Sequence, residues 1–418
     1  MGELKSYRKM QRIASCLTII VVLGVIEIVS SYKLCDDLTS CSECINEKSW
    51  WLGQSCRWCR KNNQCHAYMS MRNPCFESEI LHDRVKDWQK LCSFPLFSSY
   101  RYDPELSYKA LAASTATYFL PSLCLTFLIP QSQFEVISEY SVKCHWLDTN
   151  LCEAYIAITH SEQTLVVAFR GSVTWSQVFA QLTGTFNIIK TKFIEEGRVQ
   201  DYYYKAFMRL WNFGLERDIV QMYEKYPGYK ILVTGHSLGG ALASLASLWM
   251  SYYDHIPTNQ LFLYTFGAPR AGDVEYATIH GRYVTNNIRV VNGYDAIPHY
   301  PSRTVSFFRL APYHHGTEVF YIDASDYNSS YKECRGRFMY NEQYECGWSH
   351  FSLRSFDMNY HTSYFNLQVG QFCKDNEEQL IAGDALAKQR QVQELQTTKP
   401  EKAKKKHRRK KEKGPKWY

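Results

Sequence analysis

The residues best suited to chemistry surround Ser237, which is the centre of the pentapeptide Gly-His-Ser-Leu-Gly at positions 235–239. The apolar stretch 231–233 precedes it, and a stretch rich in small residues begins near Gly240. A serine on a sharp turn between a strand and a helix can act as a nucleophile, and glycines on either side prevent steric clashes in that turn. The positive end of the following helix would stabilise a nearby oxyanion. This pattern predicts a nucleophile elbow at Ser237, with His236 as a structural neighbour that points away from it.

A serine nucleophile on such a turn requires an acid and then a base later in the sequence. A catalytic acid is expected in a loop at the carboxyl end of a strand, where ligand sites collect. Asp295 fits this requirement because it follows the strand-like stretch 288–291. Asp273 is the alternative acid, although its glycine- and proline-rich surroundings are equally typical of an aspartate that caps a helix.

The base should be a histidine on a late loop, so that one ring nitrogen reaches the serine while the acid holds the other. His361 lies in the last structured stretch before Cys373, and His350 is its competitor. His314 and His315 precede a predicted strand and are expected to be structural. Spacing alone leaves the choice of base open.

The elements that must position these side chains alternate between strand-like and helix-like stretches over residues 96–375. Unbroken apolar runs, typical of strands buried on both faces of a parallel sheet, occupy residues 165–169, 231–233 and 261–264. Further strands are predicted at 288–291 and 318–322, and helices at 215–226 and 241–253. The alternation predicts an α/β fold with a mainly parallel central sheet covered by helices.

Five motifs follow one another between positions 169 and 365. They read Phe-Arg-Gly-Ser at 169–172, Val-Thr-Gly-His-Ser-Leu-Gly-Gly at 233–240, Tyr-Thr-Phe-Gly-Ala-Pro-Arg at 264–270, Asn-Gly-Tyr-Asp-Ala-Ile-Pro-His at 292–299 and His-Thr-Ser-Tyr-Phe at 361–365. In this order they resemble the fungal-type class 3 lipases, which are α/β-hydrolases. The resemblance implies that Asp295 is the acid and His361 the base of a triad with Ser237. It also implies an oxyanion hole at the backbone amides of Ser172 and Leu238, and no metal or cofactor.

The segment after Ser172 carries Trp175, Val178, Phe179 and Leu182 at steps that place them on one helix face. In the resembled family this segment is a lid that opens at a lipid surface. We therefore expect a lipase that acts on acylglycerols at an oil–water or membrane interface. Three alternatives stay open. The segment could be an ordinary helix packed on the core, the enzyme an esterase for phospholipids or feruloyl-type esters, or the protein a non-catalytic binder on a hydrolase scaffold.

Residues 32–93 are predicted to form a small cysteine-rich module before a catalytic domain at 94–375. Its eight cysteines are Cys35, Cys41, Cys44, Cys56, Cys59, Cys65, Cys75 and Cys92. The step Cys-Arg-Trp-Cys at 56–59 resembles the plexin-semaphorin-integrin (PSI) module, which implies no catalysis of its own. The two Cys-x-x-Cys pairs would also suit zinc, but disulfides are favoured in an exported chain.

Further disulfides are expected in the catalytic domain. The candidate pairs are Cys144 with Cys152, Cys334 with Cys346, and Cys124 with Cys373.

Residues 1–31 combine a basic start with a short apolar run at 13–26, which is typical of a secretory signal peptide. An uncleaved signal anchor is the alternative. Secretion would make Asn328, in the sequon Asn-Ser-Ser, a glycosylation site.

The end of the chain, residues 376–418, is predicted to be a disordered basic tail, with a loose helix as an alternative over residues 374–396. The net charge of +7 arises there, because residues 399–416 hold eleven Lys or Arg against two Glu. Such a tail could bind an anionic surface or polymer, and a solvated tail without a partner is the alternative. Nucleic acid is not expected as the partner of an exported hydrolase.

Overall fold

The computed structural model describes residues 35–48, 55–59, 64–68, 70–71, 73, 80–84, 92, 100–144, 150–172, 189–302, 312–334, 346–347 and 357–385. These residues divide into two compact units, one from 35 to 92 and one from 100 to 385. Within the described residues, no helix is both long and apolar enough to cross a membrane.

The N-terminal unit is a small antiparallel sheet with one short helix, joined by disulfides. The sheet has the order β2-β1-β3, with β1 at Arg57–Cys59, β2 at Gln64–His66 and β3 at Ile80–Leu81, and helix α1 is Cys41–Asn46. The disulfides join Cys35 to Cys56, Cys41 to Cys92 and Cys44 to Cys65, and Cys59 is also disulfide-bonded. A unit this small buries little apolar surface, so covalent bonds are needed to stabilise it. The zinc alternative is wrong, because these sulfurs are bonded to one another. The resemblance to the PSI module stays a prediction.

The second unit is built on an eight-stranded sheet. Its spatial order is β15-β14-β12-β10-β9-β6-β5-β4. The strands are β4 Glu135–Lys143, β5 Leu151–Thr159, β6 Thr164–Phe169, β9 Lys230–His236, β10 Leu261–Phe266, β12 Asn286–Asn292, β14 Thr317–Tyr321 and β15 Tyr331–Cys334. The five strands from β6 to β14 are parallel, and the pairs at the two edges are antiparallel. The predicted mainly parallel sheet is thereby confirmed.

Smaller strands complete the unit. They are β7 Lys190–Lys192, β8 Arg198–Gln200, β11 Gly272–Asp273 and β13 Pro312–Tyr313 in a four-stranded sheet, and β16 Ser363–Tyr364 with β17 Leu367–Gln368. Among the described residues, the helices include α2 Pro104–Ala116, α3 Pro121–Leu128, α4 Asp201–Leu210, α5 Glu216–Lys225, α6 Leu238–Tyr252, α7 Val274–Tyr283, α8 Asn359–Thr362 and α9 Phe372–Asp375.

Hydrophobic clusters cover both faces of the large sheet. On β9, Ile231 and Val233 face the cluster that contains α4 and α6, whereas Leu232 faces the cluster that contains α2. Successive residues therefore pack against opposite helical layers. Because both faces of the strand are buried, apolar and polar residues do not alternate along it. The carboxyl ends of the parallel strands are left as the edge where ligand sites form.

The end of the folded unit lies beyond the predicted boundary at 376. Residues 377–385 are helical, and Leu380 is buried in the cluster around α2. The disulfide Cys124–Cys373 joins this region to α3, and Cys144–Cys152 and Cys334–Cys346 are also formed. All three predicted pairings are confirmed.

Candidate active site

Ser237 occupies the turn between β9 and α6, as the sequence predicts for a nucleophile elbow. Its backbone has φ 56° and ψ −128°, and the residue is 2% exposed. A positive φ at a residue other than glycine costs on the order of 1–3 kcal/mol, and such strain is concentrated at functional sites. The turn is held because the Ser237 amide donates to the Phe266 carbonyl at 2.9 Å and the Gly240 amide donates to the Ser237 carbonyl at 2.9 Å.

The two glycines of the pentapeptide allow the close approach that this turn requires. A Cβ at Gly235 would overlap the carbonyl oxygen of Gly239, and a Cβ at Gly239 would overlap the carbonyl oxygen of Phe169. Phe169 ends β6, the strand beside β9. The glycines therefore bring the elbow against the segment that leads to Ser172.

Asp295 lies in the loop after β12, and its carboxylate is completely buried. The carboxylate accepts from the Tyr364 hydroxyl at 2.7 Å and the Ile297 amide at 2.9 Å, and lies 2.9 Å from His361 Nδ1. Burial alone would raise the pKa of Asp295, but the charge of His361 and these hydrogen bonds together lower it. The carboxylate is thus held ionised beside the imidazole.

His361 lies on the short helix α8, and its side chain is 2% exposed. Asn292, at the end of β12, holds this loop by donating to the carbonyls of Tyr360 at 3.2 Å and Ser363 at 2.8 Å. The same side chain accepts from the Ala324 amide at 3.0 Å. The loop that carries the imidazole is therefore fixed to the strand that leads to Asp295.

Sequence reasoning missed the supporting roles of Tyr364 and Asn292. Both lie inside the motifs at 292–299 and 361–365, where Tyr364 follows His361 by three residues and Asn292 precedes Asp295 by three. A buried polar residue within a catalytic motif was the available signal, because such a residue needs a hydrogen-bond partner.

The predicted oxyanion residues lie at the carboxyl ends of adjacent parallel strands. Leu238 is the first residue of α6, and Ser172 is three residues beyond the end of β6. Arg170 forms an ion pair with Glu153 and donates to the Leu151 carbonyl at 3.1 Å, which agrees with a structural anchor.

The predicted lid residues Trp175, Val178, Phe179 and Leu182 lie outside the described residues. His350, the competing base, also lies outside them.

The other candidates have structural partners. Asp273 is the N-cap of α7 and accepts from the Tyr276 amide at 2.9 Å, so its alternative role as acid is not supported. His315 Nε2 lies 2.6 Å from Ser244 Oγ, and His314 Nε2 lies 2.6 Å from the Pro298 carbonyl.

One group of metal-ligand residue types occurs among the described residues, namely Glu318 with Cys334 and Cys346. Its two sulfurs are joined in a disulfide, so they are not thiolates available to bind a metal.

An elbow serine at the carboxyl edge of a mainly parallel sheet, near a buried carboxylate–imidazole pair, defines a serine hydrolase of the α/β-hydrolase class. Residues 166–305 match the family model described as Lipase (class 3). A lipase of Caenorhabditis elegans is 28% identical over 288 residues, which cover 63% of this chain and 79% of that protein. A lipase of Rhizomucor miehei is 34% identical over 182 residues, covering 43% of this chain and 46% of that protein.

The fold agrees with the sequence matches. The solved structure of the Rhizomucor miehei triacylglyceride lipase aligns with a TM-score of 0.51 at 25% identity, covering 64% of this chain and 95% of that one. The resemblance to the class 3 lipases is therefore confirmed, and with it the predicted enzyme class, a serine ester hydrolase.

Proposed function

We propose that this chain is a secreted lipase that hydrolyses acylglycerol esters with Ser237 as nucleophile, His361 as base and Asp295 as acid. The observation that carries the proposal is the buried Asp295–His361 hydrogen bond, 2.9 Å long, near a serine held in a strained turn. The triacylglyceride substrate named for the Rhizomucor structure supports acylglycerols as the substrate class.

In this mechanism the hydroxyl oxygen of Ser237 attacks the ester carbonyl while His361 accepts the hydroxyl proton. Asp295 stabilises the imidazolium that forms. The amides of Ser172 and Leu238 bind the negative oxygen of the tetrahedral intermediate. His361 then gives its proton to the leaving alcohol, which leaves an acyl-enzyme. Water attacks the acyl-enzyme in the same way and releases the fatty acid.

A substrate panel tests the proposal. Wild-type protein and a Ser237→Ala variant are compared on tri-, di- and monoacylglycerols, phospholipids and feruloyl esters. We expect Ser237-dependent release of fatty acid from acylglycerols. Hydrolysis confined to phospholipids or feruloyl esters would identify the alternative esterase, and equal rates for both proteins would refute the mechanism.

The apolar face of Trp175, Val178, Phe179 and Leu182 is proposed as a lid over the site. Exposing such a face costs roughly 25 cal/mol per Å² in water and is offset when the face enters lipid. The rate on a partly soluble ester should therefore rise sharply once droplets or micelles form. A smooth saturation curve through that concentration would contradict a lid.

Export is proposed to begin with the signal peptide at 1–31, and the disulfides of both units support an oxidising compartment. Asn328 is exposed, as a glycan acceptor must be. When the chain is expressed in a eukaryotic secretion host, the protein recovered from the culture medium should lack residues 1–31. Its mass should decrease on deglycosylation. Secreted protein that still begins at Met1 would contradict cleavage of the signal peptide. An Asn328→Gln variant with the same glycan mass as wild type would contradict glycosylation at Asn328.

The basic tail at 399–416 is proposed to bind anionic lipid surfaces, at about 1 kcal/mol for each basic residue near the membrane. Full-length protein should bind vesicles containing phosphatidylserine, more weakly at high salt, and a variant ending at 398 should not. Equal binding of both proteins would exclude the tail as the anchor.

A further inference from the structure

His236, beside the nucleophile, makes two hydrogen bonds whose direction can be deduced. The residue is 3% exposed, its Nε2 lies 2.7 Å from the carbonyl oxygen of His361, and its Nδ1 lies 3.1 Å from the hydroxyl of Tyr118. A carbonyl only accepts, so Nε2 must carry the hydrogen. Burial lowers the pKa of His236 to about 3, which keeps the ring neutral. In the neutral ring Nδ1 accepts, and Tyr118 therefore donates to it.

Tyr118 continues the same series of hydrogen bonds to the segment that carries Ser172. Its buried hydroxyl is hydrogen-bonded to the backbone of Gly171, and because the hydroxyl hydrogen points to His236, the Gly171 amide must be the donor. The contact is close, since a Cβ at Gly171 would overlap the Tyr118 hydroxyl and lie 3.2 Å from the Cβ of Ser237. The series thus runs in one direction, from the Gly171 amide through Tyr118 and His236 to the His361 carbonyl.

We propose that Tyr118 and His236 are positioning residues that fix the Ser172 segment and the His361 loop relative to each other around Ser237. The inference rests on the proposed function, which assigns oxyanion binding to Ser172 and base catalysis to His361. Asp295 holds the imidazole of His361 through the hydrogen bond to Nδ1, and His236 holds the backbone of His361 through the hydrogen bond to its carbonyl.

The packing of the two imidazoles supports this role. The rings of His236 and His361 lie 4.5 Å apart between centroids, with 38° between their planes. A displacement of His236 would therefore move both the backbone and the ring of His361. Errors of about 1 Å in the placement of catalytic groups can reduce the rate about 100-fold.

Tyr118→Phe removes only the hydroxyl and breaks both of its hydrogen bonds. His236→Asn places an amide near the position of Nδ1, so it keeps a partner for Tyr118 but does not reach the His361 carbonyl. His236→Gln reaches that carbonyl but loses Tyr118. The matched control is Tyr155→Phe, because Tyr155, on β5, is also buried and donates one hydrogen bond, to the Ala113 carbonyl at 2.7 Å.

Each variant is assayed on a soluble short-chain ester for kcat and KM, and its thermal unfolding midpoint is measured. We expect Tyr118→Phe and His236→Asn to lower kcat about 10- to 100-fold with KM nearly unchanged. Tyr155→Phe should lower the midpoint comparably and keep kcat within about twofold, because it loses a similar hydrogen bond. His236→Gln should retain more activity than His236→Asn, because glutamine keeps the hydrogen bond to the His361 carbonyl and asparagine does not.

The outcomes separate this inference from the proposed function. A wild-type protein without Ser237-dependent activity would reject the proposed function itself. Wild-type activity that depends on Ser237, combined with full kcat in Tyr118→Phe, would overturn only the positioning role. If none of the Tyr118 and His236 variants folds while Tyr155→Phe does, the two residues serve the fold rather than the site, and the inference is wrong.

Discussion

Replacing Asp295 by asparagine tests the assignment of the acid, because it changes charge with almost no change of volume. Both carboxylate oxygens accept hydrogen bonds, from Tyr364 and Ile297, and both lie within 3.0 Å of His361 Nδ1. Asparagine offers one acceptor oxygen and one donor group, so at least one of these contacts must rearrange or be lost. Its amide is also neutral and cannot stabilise the imidazolium that forms during catalysis.

We expect the Asp295→Asn variant to lose about 10⁴-fold in kcat, by analogy with the same change in other serine triads. This loss corresponds to about 5 kcal/mol of transition-state stabilisation. The assay is hydrolysis of a soluble chromogenic ester, so that binding to lipid surfaces does not affect the rate.

The matched control is Asp273→Asn, which alters the alternative acid in the same way. Asp273 Oδ1 accepts from the amides of Tyr276 at 2.9 Å and Arg198 at 3.1 Å, and asparagine can keep that oxygen. Asparagine is also a good N-cap, so kcat should stay within about twofold of wild type. If Asp295→Asn retains more than about a tenth of the wild-type kcat, or Asp273→Asn loses as much as Asp295→Asn, the assignment is refuted.

Two further predictions concern stability. Removing the disulfide Cys124–Cys373, with a sequence separation of 249, should lower the free energy of unfolding by about 5.5 kcal/mol, against about 2.5 kcal/mol for Cys144–Cys152 with a separation of 8. Urea unfolding of the two double alanine variants measures this difference, and an equal or reversed order would contradict the loop-entropy argument. Burial lowers the pKa of His280 to about 3, below the value of about 6.5 expected in the unfolded chain. The unfolded state therefore binds more protons than the native state. As the pH is lowered below about 6.5, the free energy of unfolding should fall by roughly 1.4 kcal/mol per pH unit for each such histidine. A free energy of unfolding that stays constant from pH 7 to pH 5 would contradict this reasoning.

The sequence predicts the central sheet well because its strands are buried on both faces. The apolar runs at 165–169 and 231–233 correspond to β6 and β9 with small extensions at their ends. The edge strand β4 is harder to identify, since only one of its nine residues is buried, and an exposed strand has little hydrophobic pattern.

The sequence predicts a site residue when its chemical type and its place in the chain both fit the role. It does not predict partners that come together only through the folding of distant loops. Asp295 follows from its place after a strand, whereas its partner Tyr364 lies 69 residues away in the sequence. The hydrogen bond between Tyr118 and His236 depends on how α2 packs against β9. A hydrophobic period in the sequence does not predict such a long-range contact. Local patterns therefore identify the reacting groups, and tertiary structure identifies the residues that hold them.

Covalent labelling of the nucleophile tests the central claim most directly. An alkyl fluorophosphonate reacts with a serine only where a base and an oxyanion site activate it. After digestion, mass spectrometry should find the phosphonate on the peptide that contains Ser237. The label should be absent from Ser237→Ala and from urea-unfolded protein. An unlabelled native wild type, or a label on another serine with undiminished ester hydrolysis in Ser237→Ala, would contradict the account.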